Sequence, residues 1–298
     1  MWEADSRHVE LVIAELGLQT AKPVFTPGTK ISADEFENSP YLGPSAITPY
    51  RTTCARIGYL AEERWDIKHA AKECLKGMSK PKVVHVRMLK GIGRYLLYRP
   101  RFALLLRWQT KPASLTVFSD SDHAGNPTTR KSTNGGVVMI GSNAIMAWST
   151  TQAVPSLSSG ESEWHGVTKA AAEGLGVQAG IHDLGDELDL EVCTDSSAAL
   201  GIGLRRGLGK LKHVESRYFW LQHAVHNKRL SLRKEGTKTN RADPFTKYLD
   251  RETLERHLTA IGFVVLTGRH SLVPKLTVDT EQLSRQSQLK LLALIREA

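Results

Sequence analysis

From about residue 112 to residue 250 the sequence switches between two periodicities in an order that few architectures can absorb. Strand-like segments at 113–119, 135–140 and 143–149 follow one another across short turns, and their alternation of apolar and polar residues has a period of two. A long Ala/Gly-rich helix at 158–183 comes next. A strand at 189–195, a short helix at 196–203, a longer helix at 213–227, a strand at 229–234 and a helix from 241 complete the run. Three consecutive strands joined by short turns pair antiparallel, whereas strands separated by helices pair parallel. The expected fold class is therefore α/β: a mixed five-stranded sheet, three strands antiparallel and the others parallel, flanked by helices.

Four acids occupy the ends of these elements. Asp120 ends the stretch Leu115–Ser119, Asp195 ends Leu190–Thr194, Glu163 lies in the first turns of the long helix, and Asp243 opens a short helix before Pro244. If the first and fourth strands are neighbours, Asp120 and Asp195 meet at one sheet edge. There their mutual repulsion is relieved by a divalent cation. Carboxylates that gather divalent ions can cleave phosphodiesters. Taken singly, each acid also reads as a helix cap or turn residue. Glu161 competes with Glu163, because residues two apart on a helix point about 200° apart. Trp164, Val167, Ala171 and Leu175 mark the buried face, and Glu163 borders it above the small residues Ala170 and Gly174. That favours Glu163 by a small margin and leaves Glu161 as an exposed or first-turn acid. Asp122 reads as a turn or accessory residue. Residues 201–210 resemble a phosphate loop, but Leu204 and Leu211 break the pattern, so they read as a mobile basic loop. His223 and His226, with no third ligand evident, read as surface residues.

Upstream, residues 5–18 form an amphipathic helix, and the Pro/Gly density of residues 22–49 reads as a linker or extended arm. Residues 50–97 carry the signal of two or three helices. Between Lys68 and Lys111 lie twelve Lys and Arg and one acid, Glu73, a balance of +11 against +9 for the whole chain. So one-sided a bias points to a phosphate-contacting surface rather than a solvated helix face. Cys54, Cys74 and Cys193 have no zinc or redox spacing and read as buried thiols in a reducing compartment. No apolar run reaches the roughly 18 residues of a membrane span, and no signal peptide is read at the N-terminus. An intracellular location, cytoplasmic or nuclear, is expected.

Several segments together resemble copia-type (pseudovirus) retrotransposon polyproteins. Phe118–Gly125 is similar to the segment that opens their ribonuclease H domain, and Thr129–Gly135 to their "RKSTSG". Ala147–Ser149 and Ser158–Trp164 resemble "SWSS" and "SSTEAEY". Thr194–Ala198, Lys212–Tyr218 and Asn240–Lys247 resemble "CDNQSA", "KHIDIRYHF" and "QLADIFTK". Upstream, Tyr50–Leu60 with Trp65–Ile67, and Lys90–Leu96, are similar to the family's thumb-like connecting region. The resemblance covers about residues 5–258. With the readings above it gives an N-terminal helix and Pro-rich arm (1–49), a basic helical thumb or connection region (50–111), a ribonuclease H-like domain (112–250) and, beyond the resemblance, a tail (251–298) with helical signal at 252–261 and 280–296.

The resemblance also implies hydrolysis of the RNA strand of RNA–DNA hybrids by two Mg²⁺ ions, with Mn²⁺ as an alternative. Matching motif by motif places the catalytic and metal-binding carboxylates on Asp120, Glu163, Asp195 and Asp243. Nucleic-acid contacts fall on Lys82, Arg87, Lys90, Arg94, Arg130, Lys131, Lys212, His213 and Arg217. The partners implied are the hybrid and the polymerase portion of the polyprotein, without a membrane. The sequence departs from the family at Trp164, Glu215 and Ser216, and Gly236–Asn240 lacks the loop His of many ribonucleases H. No paired-Asp polymerase motif precedes residue 112, so polymerase activity is not expected of this chain alone. The alternative reading is a catalytically silent nucleic-acid-binding remnant. A weaker one is a module that docks on a polymerase through residues 5–110.

Overall fold

The structure, a computed structural model, describes residues 1–275 apart from Pro127 and Lys210. Two compact units are present. One comprises residues 1–105, 248–254 and 263–275; the other comprises 106–247 and 255–262. The helical signal at 280–296 lies outside the described residues.

In the first unit, strand β1 (Trp2–Glu3) precedes helices α1 (Ser6–Glu15), α2 (Ala33–Asn38), α3 (Pro44–Leu60), α4 (Lys68–Leu75) and α5 (Val83–Tyr98). Strand β2 (Phe102–Leu104) follows and pairs antiparallel with β1. Val9, Val12, Cys54, Ile57, Leu60, Cys74, Leu89, Ile92 and Leu96 form the core. The spacing of these residues within α1, α3 and α5 is the helical repeat visible in the sequence. Gly93 lets α5 approach closely: a Cβ there would lie 2.5 Å from Leu18 Cδ1. Arg64, 1% exposed, donates to Asp66 at 2.9 and 2.7 Å and to the Arg99 and Pro100 carbonyls, closing α5 at its C-terminus.

Residues 22–49 are not simply an extended linker. Ser32 Oγ caps α2 by accepting from Glu35 N, and Pro44 opens α3, where a missing N–H costs nothing. The intervening chain runs against α5: Leu42 N donates to Pro81 O, Val83 N to Pro40 O, and Val84 N to Ser39 Oγ. Downstream, the Phe263–Val265 strand pairs antiparallel with β2, and the Phe102 and Phe263 rings stack at 4.9 Å.

The second unit begins with strands β3 (Ser114–Ser121), β4 (Thr133–Ile140) and β5 (Asn143–Thr151). Then come α6 (Ser159–Asp183), β6 (Asp189–Thr194), α7 (Ser197–Leu204), α8 (Trp220–His226) and β7 (Ser231–Lys234). The sheet order is β5-β4-β3-β6-β7. β3, β4 and β5 pair antiparallel, while β6 is parallel to β3 and β7 to β6. This is the expected mixed five-stranded α/β sheet, three strands antiparallel and two added in parallel. A chain returning through α6 to the same sheet can join β6 to β3 only in parallel.

Two helical expectations shift. Residues 201–204 belong to α7 rather than to a loop. The helix expected over 213–227 is an α-helix only from Trp220. A 3-10 turn, Ser216–Tyr218, precedes it and sets the Tyr218 ring 4.1 Å from His165. Ring packing against α6 decides the break, and helical periodicity carries no sign of it. Cys54, Cys74 and Cys193 are free and buried. Among the described residues, no helix is long and apolar enough to cross a membrane.

Candidate metal centre

The β3/β6 register creates the site. Ser119 pairs with Thr194, so Asp120 and Asp195 are the next residues on adjacent parallel strands. Asp195 is not a helix cap. Ser196 Oγ takes that role, accepting from Ala199 N at 3.1 Å, which leaves the Asp195 carboxylate for other partners. Glu163 comes from α6, which crosses β3 at Gly166. A Cβ at Gly166 would lie 2.4 Å from Ser121 Oγ. Farther along α6, Gly174 allows the same close approach against Leu190 and Val117. One oxygen each of Asp120, Glu163 and Asp195 lies within 4.8 Å of the others. This is the single metal-capable cluster of three or more such groups among the described residues, and His223 and His226 stand outside it.

Asp243 arrives on a 3-10 turn, Asp243–Phe245. Asn240 Nδ2 ties the turn to the sheet by donating to Ser119 O at 3.0 Å. Gly135, the register partner of Asp120, makes room for it: a Cβ there would meet Thr246 and Phe245. Thr246 Oγ1 donates to Asp120 Oδ2. Lys247 Nζ stands 3.1 Å from Asp243 Oδ1 and 3.5 Å from Asp120 Oδ2. The structure therefore brings three of the four sequence-derived carboxylates into one cluster and links Asp243 to it through a shared ammonium. Thr246 and Lys247 had no assigned role in the sequence. Their signal is the spacing i+3 and i+4 from Asp243, which faces all three the same way on a helical turn.

Electrostatics reflect the crowding. Burial, then the charges of Asp120 and Asp195, push the Glu163 carboxyl up to about 9. Burial and Asp120 push Asp243 up to about 6. Burial also raises Asp120, against the pull of Lys247. Glu163 Oε2 is buried without a hydrogen-bond partner. A buried, unpaired carboxylate oxygen beside two further carboxylates is an unfavourable arrangement that a hard cation relieves. The donor set is all oxygen, which suits a hard divalent cation.

Glu161 departs from expectation. It is 4% exposed, not a solvated first-turn acid. Its carboxylate accepts from Leu157 N at 3.1 Å and meets His213 Nε2 at 2.9 Å. The hydrophobic pattern cannot show this, because His213 lies 52 residues further along the chain. Asp122 is a turn residue, accepting from Thr133 N.

The basic residues fall into two sets. Lys82 donates to Phe36 O, Arg87 pairs with Glu35, and Arg94 Nε donates to Lys22 O, so all three hold the arm against α5. Lys90 is half-buried. Elsewhere in the basic stretch, Lys68 pairs with Glu62 and Arg101 with Glu3. Counting charge in a window misses acids that arrive from outside it. In the second unit, Arg130 and Lys131 lie on the loop between β3 and β4, and Lys212 lies exposed beside His213. Arg217 pairs with Glu215 and covers the Tyr218 ring.

No family model matches the chain. It is 27% identical over 272 residues to the retrovirus-related Pol polyprotein of the Nicotiana tabacum transposon TNT 1-94, covering 88% of this chain and 20% of that protein. It is 29% identical over 261 residues to the polyprotein of the Arabidopsis thaliana transposon RE1, covering 86% and 18%. The chain thus spans about a fifth of the length of these relatives. Among solved structures, LC11-RNase H1 from compost matches at 17% identity and a TM-score of 0.33, over 49% of this chain and 99% of that one. The same enzyme in complex with an RNA/DNA hybrid matches at 16% and 0.31. Over most of its length the chain is thus similar to a segment of retrovirus-related Pol polyproteins from plant transposons.

Proposed function

We propose that this relative of the transposon Pol polyproteins is a divalent-metal-dependent endonuclease that hydrolyses the RNA strand of RNA–DNA hybrids. The observation that carries the reading is the convergence of Asp120, Glu163 and Asp195, with Glu163 Oε2 left unpaired. These three carboxylates, with Asp243 beside them, would hold magnesium, two ions in the full reading. The bound metal supplies Lewis-acid stabilisation of the phosphodiester and of the attacking water. The chain's own residues set the stage for that chemistry. Gly166 and the β3/β6 register fix the spacing of the carboxylates, and Thr246 orients Asp120. Lys247 neutralises part of the charge until metal and substrate arrive. Arg130, Lys131 and Lys212 would contact phosphates in the second unit. In the first unit, Lys90 is the strongest candidate of the four, since Lys82, Arg87 and Arg94 already hold the arm.

The test is cleavage of an end-labelled RNA–DNA hybrid in magnesium by the wild type and by Asp195→Asn. Cleavage by the wild type alone is expected. Equal cleavage by both proteins would refute the reading, and so would cleavage by neither with hybrid binding retained, which is the behaviour of a silent nucleic-acid-binding remnant.

A further inference from the structure

Glu161 is a buried acid that the carboxylate cluster does not use. It lies two residues before Glu163 on α6 and stands outside the group formed by Asp120, Glu163 and Asp195. Burying a carboxylate is costly unless hydrogen-bond partners surround it. Here the partners come from two separate stretches of chain and converge on one oxygen. Glu161 Oε2 accepts from Leu157 N at 3.1 Å, just before α6, and meets His213 Nε2 at 2.9 Å. The attachment lies at the rim of the cluster. Glu161 precedes Glu163 by about 3 Å of helix rise. A Cβ at Gly160 would lie 3.0 Å from Ala198 Cβ, so the first turn of α7, which follows Asp195, abuts the same turn of α6.

His213 belongs to the 205–219 segment between α7 and α8. Leu211 and Val214, on either side of it, are buried in the core of the second unit, whereas Lys212 is exposed. The His213–Glu161 contact is the polar member of a three-point attachment that leaves Lys212 at the surface. The other described Lys and Arg of the segment are engaged. Arg205 donates to Leu208 O at 2.7 Å, Arg206 to His226 Nε2 at 2.7 Å, and Arg217 pairs with Glu215 at 2.9 Å. Lys212 has no hydrogen bond or ion pair among the described residues. A further acid beside the cluster makes this surface less favourable for a polyanion by charge alone. Any help that Glu161 gives to binding such a ligand must therefore come through what it holds.

We propose that Glu161 is a positioning residue: through His213 it fixes the 205–219 segment against α6 and so holds Lys212 where a phosphate of the RNA–DNA hybrid passes. His213 serves this clamp and is not itself a phosphate contact. The inference rests on the hybrid as the ligand of this unit and not on its cleavage.

The test is binding of a fluorescently labelled RNA–DNA hybrid by the full chain in excess chelator, followed by anisotropy over about 50 to 200 mM salt. Lys212→Ala should weaken binding about threefold or more and lower the slope of log K against log salt by about one, the signature of one lost phosphate contact. Glu161→Ala and His213→Ala should each weaken binding about twofold or more and lower the slope in the same direction, and neither should weaken the Lys212→Ala protein further. The sign decides between accounts, because removal of an acid strengthens polyanion binding on charge alone. His213→Ala alters a side chain at the surface, so it carries the test where Glu161→Ala does not fold. Binding by folded Glu161→Ala equal to or tighter than the wild type would overturn the proposal. So would a loss in His213→Ala that adds in full to that of Lys212→Ala, which is the behaviour of a direct phosphate contact, or absence of hybrid binding by the wild type. Binding that follows the expected pattern, with no cleavage in magnesium, leaves the clamp standing and removes only the hydrolytic reading. Wild-type cleavage, with Glu161→Ala binding as tightly as the wild type, removes only the clamp.

Discussion

Replacing Glu163 by Gln should stabilise the metal-free protein, and the gain should grow with pH. Burial and the neighbouring Asp120 and Asp195 hold the Glu163 carboxyl up to about 9 in the folded chain, against about 4.3 when unfolded. Between those values the unfolded chain has released a proton that the folded chain still holds. Folding stability is therefore unaffected below about pH 4.3 and falls as pH rises, by about 1.4 kcal/mol per unit, until about pH 9. At pH 7.5 the loss reaches roughly 4 kcal/mol. The amide of the Glu163→Gln variant cannot ionise, so that protein escapes the loss. The assay is urea denaturation of both proteins in chelator at pH 5.5 and pH 7.5. The stability gap in favour of Glu163→Gln should widen by about 2 to 3 kcal/mol over those two units. Other titrating groups are common to both proteins and cancel in the difference, provided they lie far from the cluster. With saturating magnesium the gap should narrow or reverse, because only the wild type offers the full carboxylate set. A gap that is constant or shrinks with rising pH would refute the electrostatic account of the cluster.

Gly166→Ala should push α6 from β3, since its Cβ would lie 2.4 Å from Ser121 Oγ. Overpacking of about 1 to 3 kcal/mol outweighs the helix-propensity gain of about 1, and hybrid cleavage should fall at least tenfold as Glu163 moves; melting curves and the cleavage assay check both. Asp66→Asn leaves the buried Arg64 guanidinium without its counter-charge and should cost about 3 to 5 kcal/mol in urea denaturation, with a loss under about 1 kcal/mol counting against a structural ion pair. His257 is buried, and burial, then Arg256 and Lys247, pull it down to about 4. Its contribution is intact above about pH 6.5 and lost as pH falls toward 4, by about 3 kcal/mol in all, so His257→Gln should flatten the acid limb of the stability–pH curve.

The sheet was legible because its strands announce themselves by alternation, and its parallel pairing follows from chain connectivity. The placement of Asp120 beside Asp195 was legible for the same reason, as it needs only that β3 and β6 be neighbours. Helical phase favoured Glu163 over Glu161 by a small margin, and the motif resemblance carried most of that choice. Other features were hidden. The Pro-rich stretch reads as a breaker-laden arm, yet hydrogen bonds with the chain around the start of α5 order it, and Val84 lies 45 positions beyond its partner Ser39. The basic stretch reads as a bare cationic surface, yet Glu3, Glu35 and Glu62 neutralise part of it from outside the window. Glu161 reads as solvated, yet His213 and Leu157 N enclose it.

Local order along the chain therefore determined the class of fold, the strand ends at which acids stand, and the helix face on which Glu163 lies. These depend on periodicity and on the short reach of backbone hydrogen bonds, both written into contiguous residues. Tertiary structure decided which charges are compensated, that Lys247 stands among the carboxylates, and that His165 keeps a buried, unpaired nitrogen. Compensation is a property of distance in space, and Lys247 lies 127 positions beyond the Asp120 whose charge it offsets.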